Sequence, residues 1–202
     1  MKVFIIFSLP PEQLKSPLGR YASFTEEEWN VVLSHFTPLS VGRKTQLVKL
    51  EKVATDLYFI AKGAIRSYYL FDVEEVHSGF FFENSFTTSF SSYLNQGPSL
   101  QVVEALEESQ LLCLKKSDYE KLNHTIVNMN ILSRRLLEES LLNNERYQIS
   151  LLFDEPEVRL AKLIKSQPQI LRRVSQQYIA SYLEIPLLAL SKMIMNLQEE
   201  RL

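Results

Sequence analysis

The change of hydrophobic period after Leu114 constrains this chain most. From Pro38 to Leu114 the residues run in short stretches rich in Val, Ile, Phe and Tyr, broken by Gly42, Asp56, Gly63, Asp72, Asn84 and Gly97. Such residues supply turns between strands. Candidate strands are 46–50, 57–61, 64–71, 75–82, 101–107 and 110–115, with turns at Lys62-Gly63 and Asp72-Val73. After Ser117 the pattern is helical to about Leu152: Ile126, Leu132, Leu136, Leu137, Leu141 and Ile149 interleave with Arg134, Arg135, Glu138, Glu139, Glu145 and Arg146. A block of strands followed by a block of helices predicts an α+β chain, and regular turn spacing predicts a β roll, jelly roll or barrel.

Capping signals divide the helical parts. Thr25 and Glu28 form a capping box with Phe24 and Trp29 as hydrophobic staple, predicting a helix from Thr25 to about Phe36. Ser117 with Glu120 predicts the start of the long helix, and Asp154 with Glu157, flanked by Phe153 and Val158, predicts a new one that ends before Pro168. A short helix or turn is expected over 167–173. The expected organisation is an arm over 1–24, a β-roll domain over 25–122, a connecting helix over 118–153 and a helical domain over 154–202. Leucines on more than one side of the connecting helix fit a dimer seam as well as packing on its own roll.

The segment Val174 to Leu197 has the spacing of two short helices joined by a tight turn. Ser175 is the expected N-cap, Val174 and Ile179 a staple, and the first helix covers roughly 176–183. Small Ala180 permits close crossing, Ile185 plugs the turn, and Leu190, Met193 and Leu197 recur at helical spacing. Such a unit commonly sets its second helix in the DNA major groove, although any two-helix corner shares the pattern.

Composition narrows the partners. The 202 residues are 46% hydrophobic, enough for a sizeable core, and the net charge of −2 argues against a general nucleic-acid coat. Residues 154–202 carry seven Lys/Arg and six Asp/Glu, a balance of +1 against −3 for the remainder. The single Cys113 excludes an internal disulfide, and His35, His77 and His124 lack ligand spacing, so no metal site is expected. The histidines read as solvated or partly buried structural residues. The opening MKVFIIFSLPP is too short for a signal peptide and reads as a short strand or loose arm. With no stretch of about 18 apolar residues, the expected location is the cytoplasm, away from membranes. No acid–base pair, nucleophile motif or phosphate loop points to an enzyme.

The order of helix, β roll, connecting helix and terminal helix pair resembles the Crp/Fnr family of bacterial transcription regulators over about residues 20–202. DLYFIAKGAIRSYYL at 56–70, VVEALEESQLLCLKKSDYEKL at 102–122 and VSQQYIASYLEIPLLALSKMI at 174–194 carry the resemblance, most like the short Bacteroidetes-type regulators. It implies a cyclic-nucleotide-binding-like roll, a homodimer through the connecting helix, and a winged helix-turn-helix on a palindromic DNA site.

Family ligand sites use a Gly-Glu pair and a later Arg, which contact ribose and phosphate. Here the first falls near Ser89, Phe90 and Ser91 and the second on Ser99 or Leu100, and no Arg, Lys, Asp or Glu lies between Asn84 and Gln101. No cofactor is expected, and cyclic AMP or GMP least of all. The phenylalanines of FFFENSFTTSFSSYL at 80–94 read as a filled core, with an uncharged or aromatic ligand as the alternative, and Glu83 reads as a solvated loop carboxylate. In the terminal unit the family's turn glycine becomes Glu184, at a position that often needs a left-handed backbone, and the recognition helix opens with Pro186-Leu187-Leu188-Ala189. Leu and Ala touch only thymine methyls, so base readout is expected to be weak. The candidate DNA contacts are Arg172, Arg173, Gln176, Gln177, Ser191, Lys192 and Asn196. Leu187, Leu188 and Met195 are a candidate apolar patch, which leaves a degenerate member making protein contacts as the competing reading. The effector is left open.

Overall fold

The computed structural model describes residues 14–199. Helix α1 (Lys15–Gly19) and α2 (Glu26–Ser34) lead into strands β1 (Phe36–Val41), β2 (Gln46–Val48), β3 (Asp56–Lys62), β4 (Ile65–Phe71), β5 (Glu74–Phe81) and β6 (Phe86–Thr87). Helix α3 (Phe90–Asn95) precedes β7 (Gln101–Ala105) and β8 (Ser109–Lys115). Then follow α4 (Lys116–Thr125), α5 (Val127–Phe153), α6 (Pro156–Ser166), α7 (Ile170–Arg173), α8 (Gln176–Tyr182) and α9 (Leu187–Glu199). All the predicted strands form. Of the arm expected over 1–24, residues 1–13 lie outside the described residues, whereas Leu14, Leu18, Tyr21 and Ala22 are buried in the core of the roll.

The strands make two antiparallel sheets, ordered β1-β8-β3-β6 and β2-β7-β4-β5. Consecutive residues Leu57, Tyr58, Phe59 and Ile60 of β3 are all buried, as are Leu111 and Leu112 of β8. Because neighbouring side chains face opposite sides of a sheet, the first sheet is covered on both faces. One cover is the second sheet through Ile65, Val103 and Ala105, and the other is helical, from Leu18, Trp29, Val32, Leu122, Met129 and Leu132.

Several elements depart from expectation where neighbouring elements override the local signal. Strand β1, which is absent from the expected strands, contains Pro38, and as β1 is an edge strand a missing N–H is tolerated there. The helix at Thr25 has the predicted capping box, with Thr25 Oγ1 accepting from Glu28 N at 3.2 Å and Glu28 Oε2 from Thr25 N at 2.9 Å. Ser117 is not a cap: β3 and β8 pair as far as Lys115, and α4 starts at once from that residue. The long helix is broken at Ile126, which takes an extended backbone as it buries in the core. Asp154 is the C-cap of α5, its carboxylate held by Ser150 Oγ and Lys162 Nζ at 2.5 Å each, so the next helix starts from Glu155 with Pro156 at its first position. Ser175 is the N-cap of α8 without a side-chain cap bond.

Helix α5 has 27 residues and buries only Met129, Leu132 and Ser133, near its start. It then runs past the roll to the second core, in which Leu160, Leu163, Ile170, Val174, Ile179, Ala180, Leu183, Leu190 and Ile194 meet Ala64, Phe80 and Phe82 of the roll. The terminal helices therefore share a core with the roll. No strand follows α9 among the described residues, so the wing has no counterpart there. No single described helix is long and apolar enough to cross a membrane.

Candidate nucleic-acid interface

Helices α8 and α9 cross at 107° through a turn that follows from local backbone chemistry. Ile185 N donates to Ala180 O at 3.0 Å and Glu184 N to Ser181 O at 3.2 Å. This bond pair is a Schellman stop, and it sets the intervening residue in the left-handed region. Glu184 has φ 53°, as expected from its place at the family's glycine. Ile185 packs against the second core with Tyr182 and Met193.

The candidate DNA contacts divide into two groups. Arg172, Gln176, Gln177, Lys192 and Asn196 are exposed. Half-buried Ser191 lies 3.1 Å from Gln176 Oε1 and 3.0 Å from Leu187 O, joining the start of α8 to α9. Arg173 departs from the expected phosphate role. Its guanidinium bonds both carboxylate oxygens of Glu83, at 2.7 and 2.9 Å, and also pairs with Glu107. Glu83 is accordingly not a solvated loop carboxylate: Arg173, with Gly63 N at 2.8 Å, outweighs burial and holds its pKa at about 2. Leu188 and Met195 are 68% and 59% exposed, an apolar patch beside Lys192 on α9.

A second charged cluster lay beyond the sequence reading. Arg66 is 3% exposed, and every guanidinium N–H has an acceptor: Glu104 Oε1 at 3.1 and 2.8 Å, Glu75 at 2.5 and 3.0 Å, and His77 Nε2 at 2.8 Å. The guanidinium is sandwiched between the Tyr68 ring at 4.3 Å and the Tyr178 ring of α8 at 4.2 Å. Since Arg66 donates to Nε2, the proton of neutral His77 sits on Nδ1, which is buried without a partner. Burial, then the charge of Arg66, push the His77 pKa down to about 4. The legible signal was Arg66 opposite Glu104 across β4 and β7, a charge pair inside two apolar strands.

In the roll, of the residues aligned with a nucleotide site only Ser89 and Ser99 meet. Ser99 Oγ donates to Ser89 Oγ at 2.8 Å and both are buried, whereas Ser91 and Leu100 face solvent and Phe90 packs at the start of α3. Ser92 Oγ accepts from Ala54 N at 2.9 Å and donates to Gly97 O at 2.5 Å, tying this segment to the β2–β3 connection. Cys113 lies 3.3 Å from Asp56 Oδ1, and burial with that carboxylate pushes its pKa to about 12, a protonated thiol. Among the described residues no group of His, Cys, Asp and Glu could hold a metal ion.

No protein-family model matches the sequence, and no curated protein matches it. Solved structures do. FixK2 from Bradyrhizobium japonicum is similar at TM-score 0.71 and 20% identity, over 82% of this chain and 85% of that one. The c-di-GMP-responsive global regulator CLP of Xanthomonas campestris gives 0.66 and 15%, over 88% and 94%. The catabolite activator protein of Thermus thermophilus gives 0.57 and 21%, over 91% and 87%. The likeness shows the fold, which is Crp/Fnr-like.

Proposed function

We propose that this chain, with its Crp/Fnr-like fold, is a homodimeric DNA-binding transcription regulator that acts in the cytoplasm, is not an enzyme and does not respond to cyclic AMP. The observation that carries the reading is the α8–turn–α9 unit, on which Arg172, Gln176, Gln177, Lys192 and Asn196 are exposed. Arg and Lys neutralise phosphates, and Gln and Asn amides pair with base edges, adenine above all. A two-fold dimer would present two such units to two half-sites, and α5 offers it an apolar face at Leu141, Ile149, Leu152 and Phe153, all exposed. In the loop that would meet a nucleotide phosphate, Ser89 and Ser99 pair with each other, and the stretch carries no cation.

Fluorescence anisotropy against promoter fragments at several salt concentrations tests the DNA reading. A regulator shows sequence preference and a steep salt slope. The competing reading, a protein-docking terminal helix, draws on the exposed Leu187, Leu188 and Met195, and flat curves at low salt select it. For the ligand, calorimetry with cyclic AMP is expected to give no saturable heat, and binding at micromolar concentration would overturn that part.

A further inference from the structure

We infer that α7 and α8 clasp the roll, α8 at a strand edge: Ser181 and Arg173 hold the α8–α9 unit in one register on the roll, and this mount positions Arg172, Lys192 and Asn196 for DNA without a bound effector. The DNA half of this inference rests on the regulator reading; the clasp does not.

Strand β5 is an edge strand, so one side of its backbone has no partner strand. Ser181 Oγ covers it, accepting from His77 N at 3.1 Å and donating to Glu75 O at 2.9 Å. A hydroxyl that accepts from one residue and donates to another two positions away fits an edge strand only at every second residue, and the stacking of Tyr178 on His77 selects one of those places. Around it Tyr178 stacks on His77 at 4.5 Å and on Arg66, Gln167 Nε2 donates to Phe80 O at 3.2 Å, and Tyr147 Oη of α5 donates to Tyr182 O at 2.8 Å. On α7, just before the unit, Arg173 is forked onto Glu83 and reaches Glu107. The apolar contact of Phe80 and Phe82 with the second core is non-directional and tolerates sliding, whereas these paired polar groups do not. Arg172 and Arg173 thereby separate into different roles: Arg172 is exposed for phosphate, and Arg173 is a positioning residue.

The test uses the full chain with Glu83→Gln and Glu107→Gln together, which loosens the Arg173 end and leaves Ser181 untouched. Hydrogen exchange at the His77 amide, without DNA, is expected to rise about tenfold or more, while amides of β3 and β8 keep their protection. Unchanged exchange at His77 overturns the clasp. In anisotropy the double variant is expected to weaken binding by about tenfold at constant salt slope, whereas Arg172→Ala lowers the slope by about one. Unchanged or tighter binding in the loosened variant overturns the positioning role. If the parent chain binds no DNA, the regulator reading falls, and the His77 exchange still decides the clasp.

Discussion

Single residues hold the roll and its mount in place. Gly63 joins β3 to β4 at φ +115°, and a Cβ there would stand 2.2 Å from Ser109 Oγ. Gly63→Ala combines that clash with left-handed strain, and urea unfolding is expected to show a loss of about 2–4 kcal/mol. A loss below about 1 kcal/mol would mean that the hairpin shifts freely. His77 titrates near 6.5 in an unfolded chain and near 4 in the fold. Between those values the unfolded state binds more protons, so stability falls as pH drops from about 6.5 to 4. The titratable groups facing His77 are Arg66 and Tyr68 on β4, Glu75 on β5 and Tyr178 on α8, with Glu104 of β7 paired to Arg66. Its share reaches at most about 3 kcal/mol, at ~1.4 kcal/mol per pKa unit. His77→Gln, whose amide oxygen can accept from Arg66, is expected to flatten that limb of the stability curve. Glu83, held at about 2, adds a second loss only as pH falls from about 4.3 toward 2. None of this was legible at His77 beforehand, because only its neighbours across three strands and a helix make it buried and neutral.

At the scale of elements, local signals were reliable where the chain needs no distant partner. The Thr25 box, the strand runs and the Schellman turn depend on residues within a few positions of one another. Glu184 occupies the left-handed position of that turn, exposed and with φ 53°. Glu184→Gly is expected to stabilise the chain by about 1 kcal/mol, seen as a rise in Tm of a few degrees, because glycine alone enters that region without strain. An unchanged or lower Tm would show that the longer carboxylate side chain compensates. Elements that were missed answer to tertiary context. Strand β1 exists because β8 offers it a ladder from Phe36 to Val41, and α3 exists where FSSYLN buries Ser92 and Tyr93 against the roll. The capping pairs at Ser117 and Asp154 lost to a strand end and to a helix end already claimed by neighbouring elements.

For the whole molecule, α5 presents Leu141 and Leu152 eleven positions apart, three turns along one face, at 68% and 75% exposure. Leu141→Glu with Leu152→Glu is expected to convert a dimer into a monomer in sedimentation, with β-roll circular dichroism unchanged. A parent chain that already sediments as a monomer would sink the dimer proposal. The order of strand block, long helix and helix pair was legible from hydrophobic period and capping alone, since period and caps are properties of neighbours in sequence. Which charges serve the surface and which serve the mount was decided only by folding. Arg172 and Arg173 are adjacent and chemically identical, yet successive positions on a helix point about 100° apart, and only the packed roll brings Glu83 and Glu107 to one of them.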